Sequence, residues 1–297
     1  MQIKNILVPV DFSPPSRLAL THAIALSRIF QARLTLLHVV ESSVTPLFPV
    51  EAARIQKKHY MQSRRMMPAL LTPKERLNLN LKTEVRTGNI EEEILSVRRE
   101  DNSDLIVMGA HGRGFFDRWL IGSVTEKVLR KTEIPVLTVG RVGHPLALDR
   151  ILFATDLSDS WKEGASLVLD FTRAAHANLI GLRVIEVEAE GGAEAAVYLH
   201  DRRLEEARAK MNEFRAMGSE REIAVDTVLV DGVAGAAILE TAGQESVDLI
   251  AITIEKGRLA RKNLIGSTAA HVIREAHIPV LTIPIGGEVR QRKPAAA

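Results

Sequence analysis

The chain has 297 residues, about twice the usual length of one domain, so two domains are expected. Its 46% hydrophobic and 26% charged residues are typical of globular proteins and exclude wholesale disorder. The net charge of +2 gives no basic excess for nucleic-acid binding, and the absence of cysteine excludes disulfides and thiolate metal sites.

Short apolar runs alternate with helical patterns through the first half of the chain. Residues 6–10 predict a strand, after which Ser13 predicts a helix N-cap with Pro14 in the first turn. Further strands are predicted at 34–40, 83–86, 105–108 and 136–139, and helices at 90–100 and 123–131, with an amphipathic stretch at 50–71. Apolar strands separated by helices are typical of a parallel sheet covered on both faces.

The second half repeats the first. The segment 5–13 returns at 150–158, and Leu-Ile-Gly-Ser at 120–123 returns identically at 264–267. Such a constant spacing indicates a tandem duplication. The predicted fold is α/β, with two doubly wound, Rossmann-like parallel sheets of five strands each. The predicted domains are residues 1–141 and 149–285, followed by a flexible tail at 286–297.

Ligands of such sheets bind beyond the carboxyl ends of the strands. Asp11 and Ser13 follow the first predicted strand. A carboxylate there can accept hydrogen bonds from a ligand, but the same two residues can equally order the turn and cap the next helix. The residues alone leave both interpretations open.

Glycines follow the fourth predicted strand, in the run Gly109-Ala110-His111-Gly112-Arg113-Gly114, and Gly122-Ser123 opens the next predicted helix. Glycines that allow close approach and a helix N-terminus with free N–H groups can together hold phosphate. Neither a P-loop nor a dinucleotide fingerprint is present. The alternative is structural, because Ser123 and Glu126 have the spacing of a capping box.

The spacing Gly109-x2-Gly112-x9-Gly122-Ser123, with Asp11 after the first strand, resembles the universal stress protein family. The opening Val10-Asp11-Phe12-Ser13 and the closing run at 134–139 add to the resemblance, which covers nearly the whole chain as two tandem copies. The resemblance implies binding of ATP or AMP, with Mg²⁺ as a candidate companion of ATP.

The resemblance also implies a role for each matching residue of the first copy. Asp11 and the backbone near Val39 would contact adenine, with Pro9 shaping the pocket. Met108 and Gly109 would lie beside the ribose. The residues that would hold the phosphates are Gly112, Arg113, Gly122, Ser123, Val124 and Thr125. The family's last strand commonly pairs domains edge to edge, so residues 136–139 and 280–283 could form an internal pseudo-dimer.

The second copy departs from this pattern. Thr253 stands for Gly109 and Lys256 for Gly112, whereas Asp156, Gly266 and Ser267 are kept. Side chains at 253 and 256 are expected to fill the phosphate space, although the Lys256 ammonium could itself pair with a phosphate. Ser267 is expected to remain a helix cap. The second site is therefore predicted to be weak or non-binding.

Three functions follow from these observations. The first is a nucleotide-binding stress or signalling protein, and it is the one the sequence favours. The second is a slow ATPase or phosphotransferase, although no convincing catalytic base or metal-binding pair of carboxylates is evident. The third is a structural interaction protein without nucleotide.

No run approaches the ~20 apolar residues of a membrane span. We expect a cytoplasmic protein without nucleic-acid or membrane partners, which could also form a homodimer.

Overall fold

A computed structural model of the chain describes residues 2–42, 49–111, 121–140, 146, 148–186, 193–256 and 265–286. Strands and helices alternate through these ranges, as the sequence predicts. The predicted tail lies outside the described residues from position 287 onward.

The described residues of the N-terminal half contain five strands. The third strand is longer than the predicted 83–86, because it pairs along its full length with the second. In chain order the elements are β1 (Asn5–Pro9), α1 (Pro14–Ile29), β2 (Arg33–Glu41), α2 (Pro49–Met66), a 3₁₀ turn (Met67–Leu70), α3 (Pro73–Arg76), β3 (Leu81–Gly88), α4 (Ile90–Glu100), β4 (Leu105–Gly109), α5 (Ser123–Lys131) and β5 (Val136–Val139).

The C-terminal half repeats this order with two differences. A single long helix replaces α2, the 3₁₀ turn and α3, and the last two strands are longer than their counterparts. Its elements are β6 (Arg150–Ala154), α6 (Trp161–Ala175), β7 (Asn178–Ile185), α7 (Ala193–Ser219), β8 (Val225–Asp231), α8 (Ala234–Gln244), β9 (Leu249–Glu255), α9 (Ser267–Glu275) and β10 (Val280–Ile285).

The strands form one ten-stranded sheet in the order β3-β2-β1-β4-β5-β10-β9-β6-β7-β8. Within each half, neighbouring strands are parallel, which confirms the predicted doubly wound α/β fold. The two five-stranded sets meet where β5 pairs antiparallel with β10. Two hydroxyls strengthen this seam, because Thr138 donates to the Val280 carbonyl and Thr282 to the Val136 carbonyl.

Side chains of successive strand residues point to opposite faces of the sheet, so two cores form. Val8 and Leu36 belong to one core, whereas their neighbours Leu7 and Leu37 belong to the other. Covering helices leave the carboxyl ends of β1, β2 and β4 at one edge of the N-terminal half. Among the described residues, no helix combines the length and apolarity needed to cross a bilayer.

Candidate functional site

The turn after β1 is built by Asp11 and Ser13. The Asp11 carboxylate accepts a hydrogen bond from the Ser13 N–H at 2.9 Å. Ser13 is the N-cap of α1, and its side chain accepts from the Ser16 N–H. The turn-and-cap interpretation is therefore confirmed, and it fixes the Asp11 side chain at the strand end.

Phe12 occupies the left-handed backbone region, with φ of +65°. This conformation costs a non-glycine residue energy that the surrounding packing must offset. The Phe12 ring lies against His38, with ring centroids 4.6 Å apart. The His38 Nδ1 is 2.7 Å from the Val10 carbonyl oxygen, which accepts a hydrogen bond. The same turn recurs in the second half, where Leu157 has φ of +55°.

At the end of β4, Gly109 allows a close approach between backbones. A Cβ added there would lie 3.1 Å from the Pro15 Cβ and 3.2 Å from the His111 carbonyl oxygen. The buried Thr125 hydroxyl donates to the Gly109 carbonyl at 2.9 Å. Thr125 therefore ties the first turn of α5 to the end of β4, and Gly109 has a packing role of its own.

The N-cap of α5 is Gly122, and no side chain of the described residues caps this helix. The capping box predicted for Ser123 and Glu126 is wrong, because Ser123 is already the first helical residue and is exposed. The Glu126 N–H donates to the Gly122 carbonyl, as in the helix interior. The first amides of α5 thus keep the anion affinity of an uncapped helix N-terminus.

These features open onto one cavity of about 970 Å³. Two of the predicted site residues, Gly112 and Arg113, lie outside the described residues. All the others line the cavity: Pro9, Asp11, Val39, Met108, Gly109, Gly122, Ser123, Val124 and Thr125. The fold of the N-terminal half thus brings segments that are more than 100 positions apart in the sequence together around this cavity.

Among the residues of the cavity wall that sequence reasoning missed are two polar groups. One is His38, a polar residue within the apolar run of β2, and that interruption was the available signal. The other is the face of α2 that carries His59, Gln62 and Ser63. No sequence signal identified this face, because the packing of α2 across the strand ends depends on contacts with β2 and β3.

The described residues contain no group of three or more histidine, aspartate or glutamate side chains arranged to hold a metal ion. Mg²⁺ as a companion of ATP stays a prediction.

The fourth strand of the second half, β9, ends later than its counterpart β4. β4 ends at Gly109, but β9 continues to Glu255, where it still pairs with Ile285 of β10. The Lys256 N–H extends this pairing by donating to the Ile285 carbonyl at 2.6 Å. The chain therefore stays in the sheet where the first half turns away from it.

Thr253, which replaces Gly109, has its methyl group beside Gly164 of α6. A Cβ on Gly164 would lie 2.4 Å from the Thr253 Cγ2. Ala19 occupies the corresponding position in the first half. The loss of one glycine is thus matched by a new glycine opposite, and Thr253 packs against α6. That its side chain also fills the phosphate space stays a prediction.

We expect Gly164→Ala to lower the free energy of unfolding by about 1–3 kcal/mol, since the added methyl overpacks the contact with Thr253. The control is Gly243→Ala in α8, where an added Cβ meets nothing within 4 Å. That change should raise the free energy of unfolding by about 0.4–1 kcal/mol through lower chain entropy. Urea unfolding measures both values, and a neutral Gly164→Ala would contradict the packing argument.

Basic side chains occupy the strand ends of the second half. The Lys210 ammonium donates to the Leu157 carbonyl at 2.6 Å, and Arg203 donates to the Glu186 carbonyl at 3.1 Å. Arg183 stands where His38 stands in the first half, and burial lowers the pKa of its guanidinium.

One further expectation for the second half is wrong, and one side chain bonds where the sequence did not place it. Ser267 does not cap α9, because the N-cap is Gly266 and no side chain of the described residues makes a cap hydrogen bond. The Lys256 ammonium, which could have paired with a phosphate, instead forms its hydrogen bonds outside its own half. It donates to two carbonyls of α5 in the N-terminal half.

The sequence model of the universal stress protein family matches residues 2–140 and again residues 147–284. A universal stress protein of Methanocaldococcus jannaschii is 30% identical over 154 residues, which are 46% of this chain and 95% of that protein. A putative universal stress protein of Staphylococcus aureus is 26% identical over 165 residues, covering 54% of this chain and 97% of that protein.

A solved universal stress protein from Archaeoglobus fulgidus has the same fold along nearly the whole chain. The TM-score is 0.71 at 19% identity, and the match covers 97% of this chain and 100% of that one.

Proposed function

Because the chain belongs to the universal stress protein family along both of its halves, we propose that it binds one adenine nucleotide, ATP or AMP, in its N-terminal half. One observation carries this proposal. The uncapped N-terminus of α5 opens onto the same cavity as the ends of β1 and β4. We assign the chain to stress-response signalling, with the bound nucleotide as its signal.

The size and chemistry of the cavity support a nucleotide. Its volume of about 970 Å³ is within the ~300–1,000 Å³ usual for small-molecule sites. Asp11 and Val39 would face the base, and Met108 and Gly109 the ribose. The amides at the start of α5, together with Gly112 and Arg113, would bind the phosphates. Since the net charge is only +2, anion binding must come from such local N–H groups.

We propose that the C-terminal half binds no nucleotide. β9 stays paired with β10 through the positions that correspond to Gly109 and His111. Lys210 and Arg203 already bond to carbonyls at the strand ends. A phosphate there would compete with these bonds and would lack the glycine turn, so the second half acts as a structural partner.

We treat residues 1–141 and 149–285 as two domains, with 286–297 as a tail. The antiparallel pairing of β5 with β10 supports an internal pseudo-dimer of these domains. A homodimer through other surfaces and a cytoplasmic location remain parts of the proposal.

The test compares Asp11→Ala with Asp156→Ala. Both aspartates make the same turn bond, to the Ser13 N–H at 2.9 Å and to the Ser158 N–H at 3.0 Å. Asp11 also accepts from the Ser13 hydroxyl, so Asp11→Ala should cost somewhat more stability than Asp156→Ala, with each lost bond costing about 0.5–1.5 kcal/mol. Only Asp11→Ala should weaken ATP binding, by roughly tenfold or more, because a hydrogen bond to a charged group is lost.

Isothermal titration calorimetry with ATP and AMP gives both the affinity and the stoichiometry. We expect a stoichiometry near one for the wild-type chain. A value near two, or equal losses of affinity in the two variants, would contradict the proposal of a single site. Release of nucleotide on denaturing the purified protein would identify the natural ligand.

A further inference from the structure

Lys256 belongs to the C-terminal half, but its side chain contacts the N-terminal half. It follows β9 directly, and its backbone is held by the bond to the Ile285 carbonyl. Its ammonium donates to the carbonyls of Leu129 and Arg130, each at 2.6 Å. Both acceptors belong to the last turn of α5, in the N-terminal half.

The last turn of a helix suits a cation for two reasons. Its final carbonyls have no partner within the helix, and they form the negative end of the helix dipole. The Lys256 side chain is partly buried, which lowers its pKa to about 8. At neutral pH the ammonium is therefore still protonated and donates to both carbonyls.

The other end of α5 belongs to the proposed nucleotide site. The helix has nine residues, about 13 Å in length, and begins at Ser123 beside the cavity. Thr125 ties its first turn to the Gly109 carbonyl, and Lys256 ties its last turn to the end of β9. One short helix thus has the cavity at its N-terminus and the second half at its C-terminus.

We propose that Lys256 is a positioning residue for nucleotide binding: it holds α5 from its C-terminal end, so that the amides at Ser123 and Val124, in the first turn, stay directed at the phosphates. This inference rests on the proposed function. It gives the C-terminal half a specific task, because the residue that replaces a glycine of its own site now supports the site of the other half.

The experiment measures ATP affinity of the full-length chain by calorimetry at 10 °C for Lys256→Met, Lys256→Arg and Lys210→Met. Methionine keeps most of the length of the side chain but removes the charge and both hydrogen bonds. Lys210→Met is the matched control, since it removes the same kind of ammonium–carbonyl bond without touching α5.

We expect Lys256→Met to lower ATP affinity by about three- to tenfold. Lys256→Arg should keep most of the affinity, because a guanidinium can donate to the same carbonyls. Lys210→Met should bind ATP within about twofold of the wild type. In the absence of ATP, hydrogen exchange of the α5 amides should accelerate in Lys256→Met alone.

Different results separate the two proposals. If the wild-type chain binds ATP and Lys256→Met binds it equally well, the positioning role is wrong and the proposed function stands. An equal loss in Lys210→Met, or no recovery in Lys256→Arg, would also overturn the positioning role, since the loss would then be a general effect of stability. If the wild-type chain binds neither ATP nor AMP, both proposals are wrong.

Discussion

Replacing Ser123 by aspartate is expected to lower the affinity for ATP by about tenfold or more without loss of stability. Ser123 is the exposed first residue of α5 and lines the cavity. A carboxylate there would lie close to the bound phosphates. Like charges about 4 Å apart near a protein surface repel by roughly 1–4 kcal/mol, and each ~1.4 kcal/mol is tenfold in affinity.

The same substitution favours the folded chain. A negative side chain in the first turn of a helix interacts with the positive end of the dipole and stabilises it by about 0.3–1 kcal/mol. The melting temperature of Ser123→Asp should therefore be equal to that of the wild type or higher. A loss of ATP binding could then not be attributed to unfolding.

The second half offers a matched control for this prediction. Ser267 is the exposed first residue of α9, and a glycine N-cap precedes it as Gly122 precedes Ser123. Ser267→Asp should show the same gain in stability and an unchanged ATP affinity in calorimetric titrations. Equal weakening by both substitutions would contradict the assignment of the nucleotide to the N-terminal half.

The largest expected effect on stability is that of Phe214→Ala, a loss of about 3–5 kcal/mol in the free energy of unfolding. Phe214 lies on α7 and is fully buried. Its ring packs edge-on against Phe153 and Trp161, with centroids 5.6 and 6.1 Å away. Gly181 of β7 leaves room for the ring, since a Cβ there would lie 2.8 Å from the Phe214 Cε1.

Urea unfolding followed by tryptophan fluorescence measures this loss, because Trp161 lies within the same cluster. Tyr198→Ala is the control on the same helix, since Tyr198 is 69% exposed. It should change the free energy of unfolding by no more than about 0.5 kcal/mol. A loss below about 1 kcal/mol in Phe214→Ala would show that α7 does not anchor the second half.

Much of the candidate site could be predicted because its parts are local in the sequence. Asp11 and Ser13 follow a strand directly, and their turn depends on bonds between near neighbours. The predicted N-cap at Ser13 was right, whereas the one at Ser123 was wrong. The first turn of α5 is held by the Thr125 bond to Gly109, a contact across 16 positions that no short motif encodes.

The second half shows the same limit. The substitutions at 253 and 256 indicated a degenerate glycine motif, but their structural consequences depend on partners far away in the chain. Thr253 is accommodated by Gly164, and Lys256 bonds to carbonyls more than 120 positions earlier. A phosphate was the only partner that the sequence suggested for the Lys256 ammonium, because carbonyls of the other half are not visible in a local motif.

The sequence by itself determined the duplication, the α/β class and the strand ends at which a site must form, because periodicity, repeats and turn residues are local properties. The resemblance implied that β5 and β10 could pair, but only the tertiary structure decided their register, that β9 continues where β4 turns, and that Lys256 bonds to α5. Pairing between strand edges and bonds to backbone carbonyls depend on distance in space, and every residue type except proline carries the same main-chain donor and acceptor.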